Sequence, residues 1–435
     1  MRVLRNINHI GAMAIIIAMA LSCLTLSARS MPQPSREAMA DSLTVSLITC
    51  YPGPEIYELC GHEAIRVRGE GRDSVWNFGM FSFNEPNFVY RFVKGETDYL
   101  CVGYPFAWFL PEYVERGSRV VEQDLNLTQE EASTLLKLLQ IHALPENRKY
   151  RYNYVLDNCA TRITDQIDKA ASSRVIYPDT MAFPTFRQEM RHYHQNYPWY
   201  QFGIDLALGS GLDRRLHGRE DMFVPVEMMR KSGNARFADG RPLVREERVL
   251  YEGSDGAVLP PTVWWLSPLA VCSAVFLFVL VFCLISLKNK RIYAWGYFLW
   301  FLILGLAGTL VAFLVFKSSH EATSPNALLL WLNPLQLIFA VCVLWRRLRI
   351  GAVAMSWFNI VAVLCMLIVW PFQRQVANPA FFPLMLSTLF LSSSYAIIAY
   401  KDSYINNGGL SPRKTSAGKK AAPRTVGKRK SKTDK

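Results

Sequence analysis

Two segments of this chain hold the residues best suited to covalent chemistry. Cys159 lies in Asp157-Asn158-Cys159-Ala160-Thr161-Arg162, and His62 in Gly61-His62-Glu63-Ala64-Ile65-Arg66. An aromatic, apolar run, Tyr150–Leu156, ends just before Cys159, and an apolar stripe at Ile163, Ile167 and Ala170 follows it. Cys159 therefore falls where strand gives way to helix. A thiol at a helix N-terminus feels the positive end of the macrodipole, so its pKa is expected to fall and the thiolate nucleophile to form. Such a nucleophile needs an imidazole close in space rather than in sequence. His62 opens a strand pattern, with Ala64 and Arg66 alternating against Ile65 and Val67. Taken alone it reads as an edge-strand histidine, and its pairing with Cys159 is a fold argument. A third group orients the imidazole and holds its tautomer. Asn77, in Val75-Trp76-Asn77-Phe78-Gly79, sits on the returning strand. Glu63 points to the opposite face of the strand, and Asp157 reads as the helix cap.

The elements that must position these groups follow in order. Ser42–Thr49 reads as a strand. His62–Val67 and Ser74–Phe78 form a hairpin across Gly69-Glu70-Gly71. Asn87–Val93, Asp98–Tyr104 and Ser118–Leu125 are expected as further strands. Thr128-Gln129-Glu130-Glu131 is a capping box opening a helix to about His142. Residues 175–260 read as compact, loop-rich structure that completes the fold.

Nine cysteines sort simply. Cys23 is in the leader, and Cys272, Cys283, Cys342 and Cys365 lie in apolar runs, where cysteine acts as a small hydrophobe. Cys50, Cys60, Cys101 and Cys159 remain; an exported domain could pair these as disulfides, and Cys50 and Cys60 are close enough across a turn to bridge. No CxxC or HExxH spacing occurs, so no metal and no cofactor is expected.

The net charge of +13 is unevenly placed. Residues 29–262 hold 27 Lys+Arg against 32 Asp+Glu, a net of −5, and the remainder holds 21 against 3, a net of +18. The basic residues sit in the leader, in short loops between apolar runs and in the tail, as the positive-inside rule produces. No nucleic-acid partner is expected. Residues 1–28 read as an export signal. Five apolar segments follow the globular part: Val263–Leu287, Ile292–Phe316, Ala327–Trp345, Ile350–Pro371 and Phe381–Tyr400. Each is near the ~20 residues that cross a bilayer. An odd number puts residues 29–262 outside the membrane and the basic tail, 401–435, in the cytoplasm.

The order Gly-His-x-Ala-Ile-Arg, then a strand ending Asn77-Phe78-Gly79, then Tyr150-Arg151-Tyr152-Asn153 and Asp157-Asn158-Cys159-Ala160-Thr161-Arg162, carries a family resemblance. It resembles the circularly permuted branch of the papain-like (NlpC-type) superfamily, to which lecithin–retinol acyltransferase-like enzymes belong. More closely, the exported part is similar to the Lnb N-terminal periplasmic domain of Bacteroidota. Thr49-Cys50-Tyr51-Pro52-Gly53, Leu125-Asn126-Leu127-Thr128, Pro198-Trp199 and Phe202-Gly203-Ile204-Asp205 share in that similarity. The membrane part resembles the same family through His320, Asn326 and Leu332-Asn333-Pro334. The resemblance implies an α+β permuted papain-like domain, an antiparallel sheet plus helices, followed by five membrane helices. It implies lipoprotein N-acylation: an acyl chain moves from phospholipid to Cys159 as a thioester, then to the α-amine of a diacylglyceryl-cysteine lipoprotein. Cys159, His62 and Asn77 are the catalytic candidates. Asn158, Arg66, Arg162 and His320 are candidates for the substrate site. The rival readings are a cell-wall peptidase or amidase using the same pair, and a membrane assembly factor without catalysis.

Overall fold

A computed structural model describes residues 42–406 apart from 83, 85 and 257–259. The leader (1–28), the linker at 31–40 and the tail beyond 406 lie outside the described residues. Alternating apolar positions build a seven-stranded sheet whose paired strands run antiparallel, in the order β6-β4-β3-β2-β1-β5-β9. The strands are β1 (Thr44–Cys50), β2 (His62–Gly69), β3 (Arg72–Met80), β4 (Asp98–Pro105), β5 (Val120–Leu125), β6 (Lys149–Arg151) and β9 (Val244–Tyr251). A separate pair, β7 (Val175–Ile176) and β8 (Arg236–Phe237), lies outside it.

Period-two alternation gives the sheet two faces. On one, Val45, Leu47, Ile65, Val67 and Phe78 pack against the apolar stripes of helices α3 (Gln129–His142) and α4 (Cys159–Ala170). On the other, Ile48, Cys50, Ala64 and Val75 pack against Phe106, Phe109 and Tyr113 of α2 (Phe106–Arg116). The capping box at Thr128 and Glu131 forms as expected.

Two expectations are corrected in this half. Asn87–Val93 is not a strand; Phe88–Lys94 is a helix, α1. Its flanks Asn87 and Gly95 take left-handed backbone angles that close both ends of the turn. Its apolar residues then meet neighbours from other elements, and tertiary packing overrides strand propensity. The cap of α4 is Asn158 rather than Asp157. Asp157 instead pairs with Arg162 at 2.6 and 2.7 Å.

Residues 175–260 hold α5 (Phe186–Tyr193), α6 (Pro198–Ala207), α7 (Pro225–Asn234) and the edge strand β9. Buried Arg187 reaches Asp205 and Asp213, each at 2.8 Å. Asp205 also accepts from Arg191 (3.0 Å) and from Asn378 of the membrane half (2.9 Å). Asn326 donates to the Leu206 carbonyl at 3.0 Å, and the Gly209 and Ser210 N–H groups bond the carbonyls of Ala322 and Pro325, each at 2.8 Å. This stretch is a joint between the sheet domain and the membrane half.

The membrane half contains α8 (Pro268–Lys288), α9 (Ala294–Phe316), α10 (Gln336–Leu344), α11 (Arg349–Val369) and α12 (Phe381–Asn406). Four segments are long and apolar enough to cross a membrane: α8, α9, the run around α11 and α12. The expected third span, Ala327–Trp345, is not a continuous helix. It is a 3-10 turn over Ala327–Leu330, an irregular step at Asn333-Pro334, and α10. Pro334 supplies no N–H to continue a helix. Nine residues of α10 reach about 13 Å, short of the ~30 Å hydrocarbon core. Gly305 and Gly308 of α9 face this step, and a Cβ on Gly308 would collide with the Asn333 backbone.

Candidate active site

Gly61 takes φ 77°, and an added Cβ would strike the Cys50 carbonyl, so only glycine turns the chain tightly enough to start β2 at His62. Cys50 pairs with His62 across β1 and β2. His62 Nε2 lies 2.7 Å from Asn77 Oδ1. The Asn77 Nδ2 donates to the Tyr104 hydroxyl at 3.1 Å, which turns Oδ1 toward the ring. An amide oxygen only accepts, so Nε2 carries the proton and Nδ1 keeps its lone pair. The imidazole also lies parallel to the Tyr113 ring, with centroids 6.3 Å apart. Burial pushes its pKa below the ordinary histidine value, against the Asn77 bond that pulls it up. His62 is therefore neutral and basic at Nδ1.

Cys159 is the first residue of α4 and is buried. Its neighbour Asn158 caps the helix, accepting from Thr161 N at 3.0 Å and donating to the carbonyls of Tyr154 (2.9 Å) and Phe223 (2.8 Å). Burial pushes the Cys159 thiol above its ordinary value. Backbone N–H groups of Glu63, Ala160 and Cys159 itself bond the sulfur and work the other way. The expected fall in pKa is thus corrected: the helix start acts in the expected direction, and desolvation outweighs it. The Glu63 N–H that acts on the sulfur belongs to the residue after His62. Among the described residues the thiol and the imidazole make no direct hydrogen bond.

The Glu63 side chain lies on the other face, with Oε2 accepting from Thr49 at 2.8 Å, and burial raises its pKa strongly. From that face it does not orient His62. Cys50 and Cys60 are both free thiols, so the bridge allowed by spacing is not formed. Cys50 is buried under α2, and Cys60 Sγ lies 3.0 Å from the Tyr154 hydroxyl. Burial pushes the Cys60 thiol up to about 12.

Tyr150 escaped the residue-type reading. Its side chain is buried, and its hydroxyl has no hydrogen-bond partner among the described residues. A Cβ built on Gly79 would lie 3.9 Å from both that hydroxyl and His62 Cε1. Gly79, at φ 98°, thus keeps open the space between them. The Arg162 guanidinium lies 3.7 Å above the Tyr150 ring. A polar atom this buried normally has a partner. The sequence sets it in the Tyr150-Arg151-Tyr152-Asn153 motif but gives no sign of its unpartnered hydroxyl.

The Lnb N-terminal periplasmic domain matches residues 31–188, and the Lnb transmembrane domain matches residues 261–403. The chain belongs to the Lnb family. No curated protein and no solved structure matches it. His62, Asn77, Tyr150 and Cys159 all fall in the Lnb periplasmic domain. The Asp205 joint lies between the two Lnb matches.

Four further candidates are dispersed through the Lnb chain. Asn158 is fully engaged as the α4 cap. Arg66 pairs with Asp73 at 2.7 Å and lies 3.6 Å over the Phe106 ring. Arg162 braces Asp157 and Tyr150 beside the site. His320 bonds the Phe92 carbonyl of α1 at 2.8 Å.

Proposed function

We propose that the protein is a cysteine-dependent lipoprotein N-acyltransferase with a permuted papain-like catalytic domain. The observation that carries this reading is the seat of the Cys159 sulfur, one residue from an imidazole clamped by Asn77 with Nδ1 free. Family membership supports the membrane and lipoprotein context.

His62 Nδ1 removes the thiol proton as Cys159 attacks an ester carbonyl of a phospholipid. The tetrahedral oxyanion is met by backbone N–H groups at the α4 start and by the Tyr150 hydroxyl. Collapse forms the thioester and expels the lysolipid alkoxide, which takes the proton back from His62. The α-amine of a diacylglyceryl-cysteine lipoprotein then attacks the thioester and gives its proton to His62. The amide forms, and the departing sulfur regains that proton. Asn77 holds the imidazole tautomer throughout.

Incubating the purified protein with a phospholipid carrying a labelled acyl chain tests the first half-reaction. Hydroxylamine-labile label appears on the Cys159 peptide in mass spectra and is lost in His62→Ala. A folded protein with a free Cys159 thiol that takes no label overturns the reading.

A further inference from the structure

Aromatic rings run in a row from the membrane half toward Cys159. Consecutive centroids are 6.1 Å apart from Phe92 to Phe88, 6.0 Å from Phe88 to Phe81, 5.0 Å from Phe81 to Tyr99 and 4.2 Å from Tyr99 to Tyr152. At one end, α1 lies against membrane helix α9 and the loop after it. The Tyr90 ring is 6.3 Å from Phe313, the Phe92 carbonyl accepts from His320, and Ser319 N donates to Lys94 O at 2.8 Å. Val89, Tyr90 and Phe92 on this helix are 73%, 56% and 49% exposed. At the other end, Phe81 and Tyr152 pack against the core cluster that contains Tyr99, Tyr150 and Cys159.

We propose that this row is the track along which the acyl chain of a membrane phospholipid lies when its ester reaches Cys159. The inference rests on the acyl-transfer reading and adds where the donor chain binds. Three features favour a hydrocarbon chain. The row is continuous with a helix seated on the membrane half. Its rings offer apolar faces, and the hydroxyls are confined to the Cys159 end. The charges on α1 are drawn sideways, with Arg91 to Asp98 and Lys94 to Glu96. A flexible chain leaving the bilayer asks only for a continuous apolar surface that keeps its methylenes out of water.

Two measurements on the full-length protein in phosphatidylcholine nanodiscs test this. The first dopes the discs with a phospholipid whose acyl chain carries a diazirine. Photoadducts on Phe81, Phe88 and Tyr99 support the track. Adducts confined to the membrane helices and the exposed side of α1 overturn it. The second compares Cys159 labelling by donors with six-carbon and sixteen-carbon chains. In the wild type, a chain long enough to lie along the row labels faster than one too short to reach it. In Phe88→Ala the ratio of long-chain to short-chain rates falls tenfold or more. An unchanged ratio overturns the track while leaving acyl transfer standing. Absence of label from every donor in the wild type fells the acyl-transfer reading itself.

Discussion

At the scale of single residues, the site couples a neutral imidazole to a protonated thiol. Both shifts arise from burial, and both disfavour a preformed ion pair. The pH dependence follows. With the His62 pKa lowered, the neutral base persists below the ordinary histidine range, and the acid limb of Cys159 acylation falls at a correspondingly lower pH. With the thiol raised, alkylation of Cys159 by iodoacetamide without lipid is slow at pH 7 and still climbing at pH 9. A fast plateau reaching acidic pH would show an ion pair instead. Tyr150 makes a separate prediction. Tyr150→Phe keeps the ring and removes the unpartnered hydroxyl, so kcat for acylation falls about a hundredfold, the scale of one lost oxyanion donor. Iodoacetamide reactivity, which builds no oxyanion, stays at the wild-type rate. Equal losses in both assays would assign Tyr150 to packing alone. On the acyl-transfer reading, Cys159, His62 and Asn77 take the roles of nucleophile, base and orienter that their types and order suggest. Tyr150 stands in the motif before Cys159, but its unpartnered hydroxyl cannot be read there, because that isolation is a property of what surrounds it.

At the scale of elements, patterning reveals what is locally determined. The alternation in β1, β2 and β3 and the capping box of α3 are visible because each residue's neighbours in sequence set its environment. Phe88–Lys94 misleads because aromatic and β-branched residues favour strands, while its helix is fixed by left-handed ends and by contacts with α9. The edge strand β9 is hidden by its charges, since Glu246, Glu247 and Arg248 face salt bridges and solvent rather than a core. The Arg187–Asp205 pair is also long-range, and it gives an element-scale prediction. Asp205→Ala leaves the buried Arg187 guanidinium one carboxylate, Asp213, beside the carbonyls of Leu208 and Gly209, and removes the bonds to Arg191 and Asn378. Breaking a buried pair destabilises by about 3–5 kcal/mol. The thermal midpoint falls, and proteolysis separates the sheet domain from the membrane half. A variant as stable and as protease-resistant as wild type would remove Asp205 from the joint.

At the scale of the whole molecule, the topology turns on the broken third segment. It starts at Asn326, bonded to Leu206 of the joint. It ends beside Arg349, whose guanidinium donates to Ala399 at 3.0 Å. Ala399 lies about 27 Å along α12 from Phe381, and Asn378, just before that helix, is bonded to Asp205. The segment therefore runs from one end of the bundle to the other despite its irregular middle. Its polar step is enclosed, as irregular backbone at membrane depth must be, with Gln336 bonded to Trp331 O and to Asn359, each at 2.9 Å. We expect five crossings, with the sheet domain and the basic tail on opposite sides. A reporter phosphatase active only in the periplasm, fused after Lys435, stays inactive, whereas a fusion in the loop near Asn378 is active. The reverse for the tail would mean four crossings. The joint at Asp205 has a further consequence on the acyl-transfer reading. It ties the sheet domain to two loops of the bundle and leaves it no long tether on which to swing. The thiol then works at one fixed height above the bilayer, like a stylus. An acceptor qualifies by how close its amine lies to its own lipid, and the polypeptide beyond its first residue need carry no recognition code.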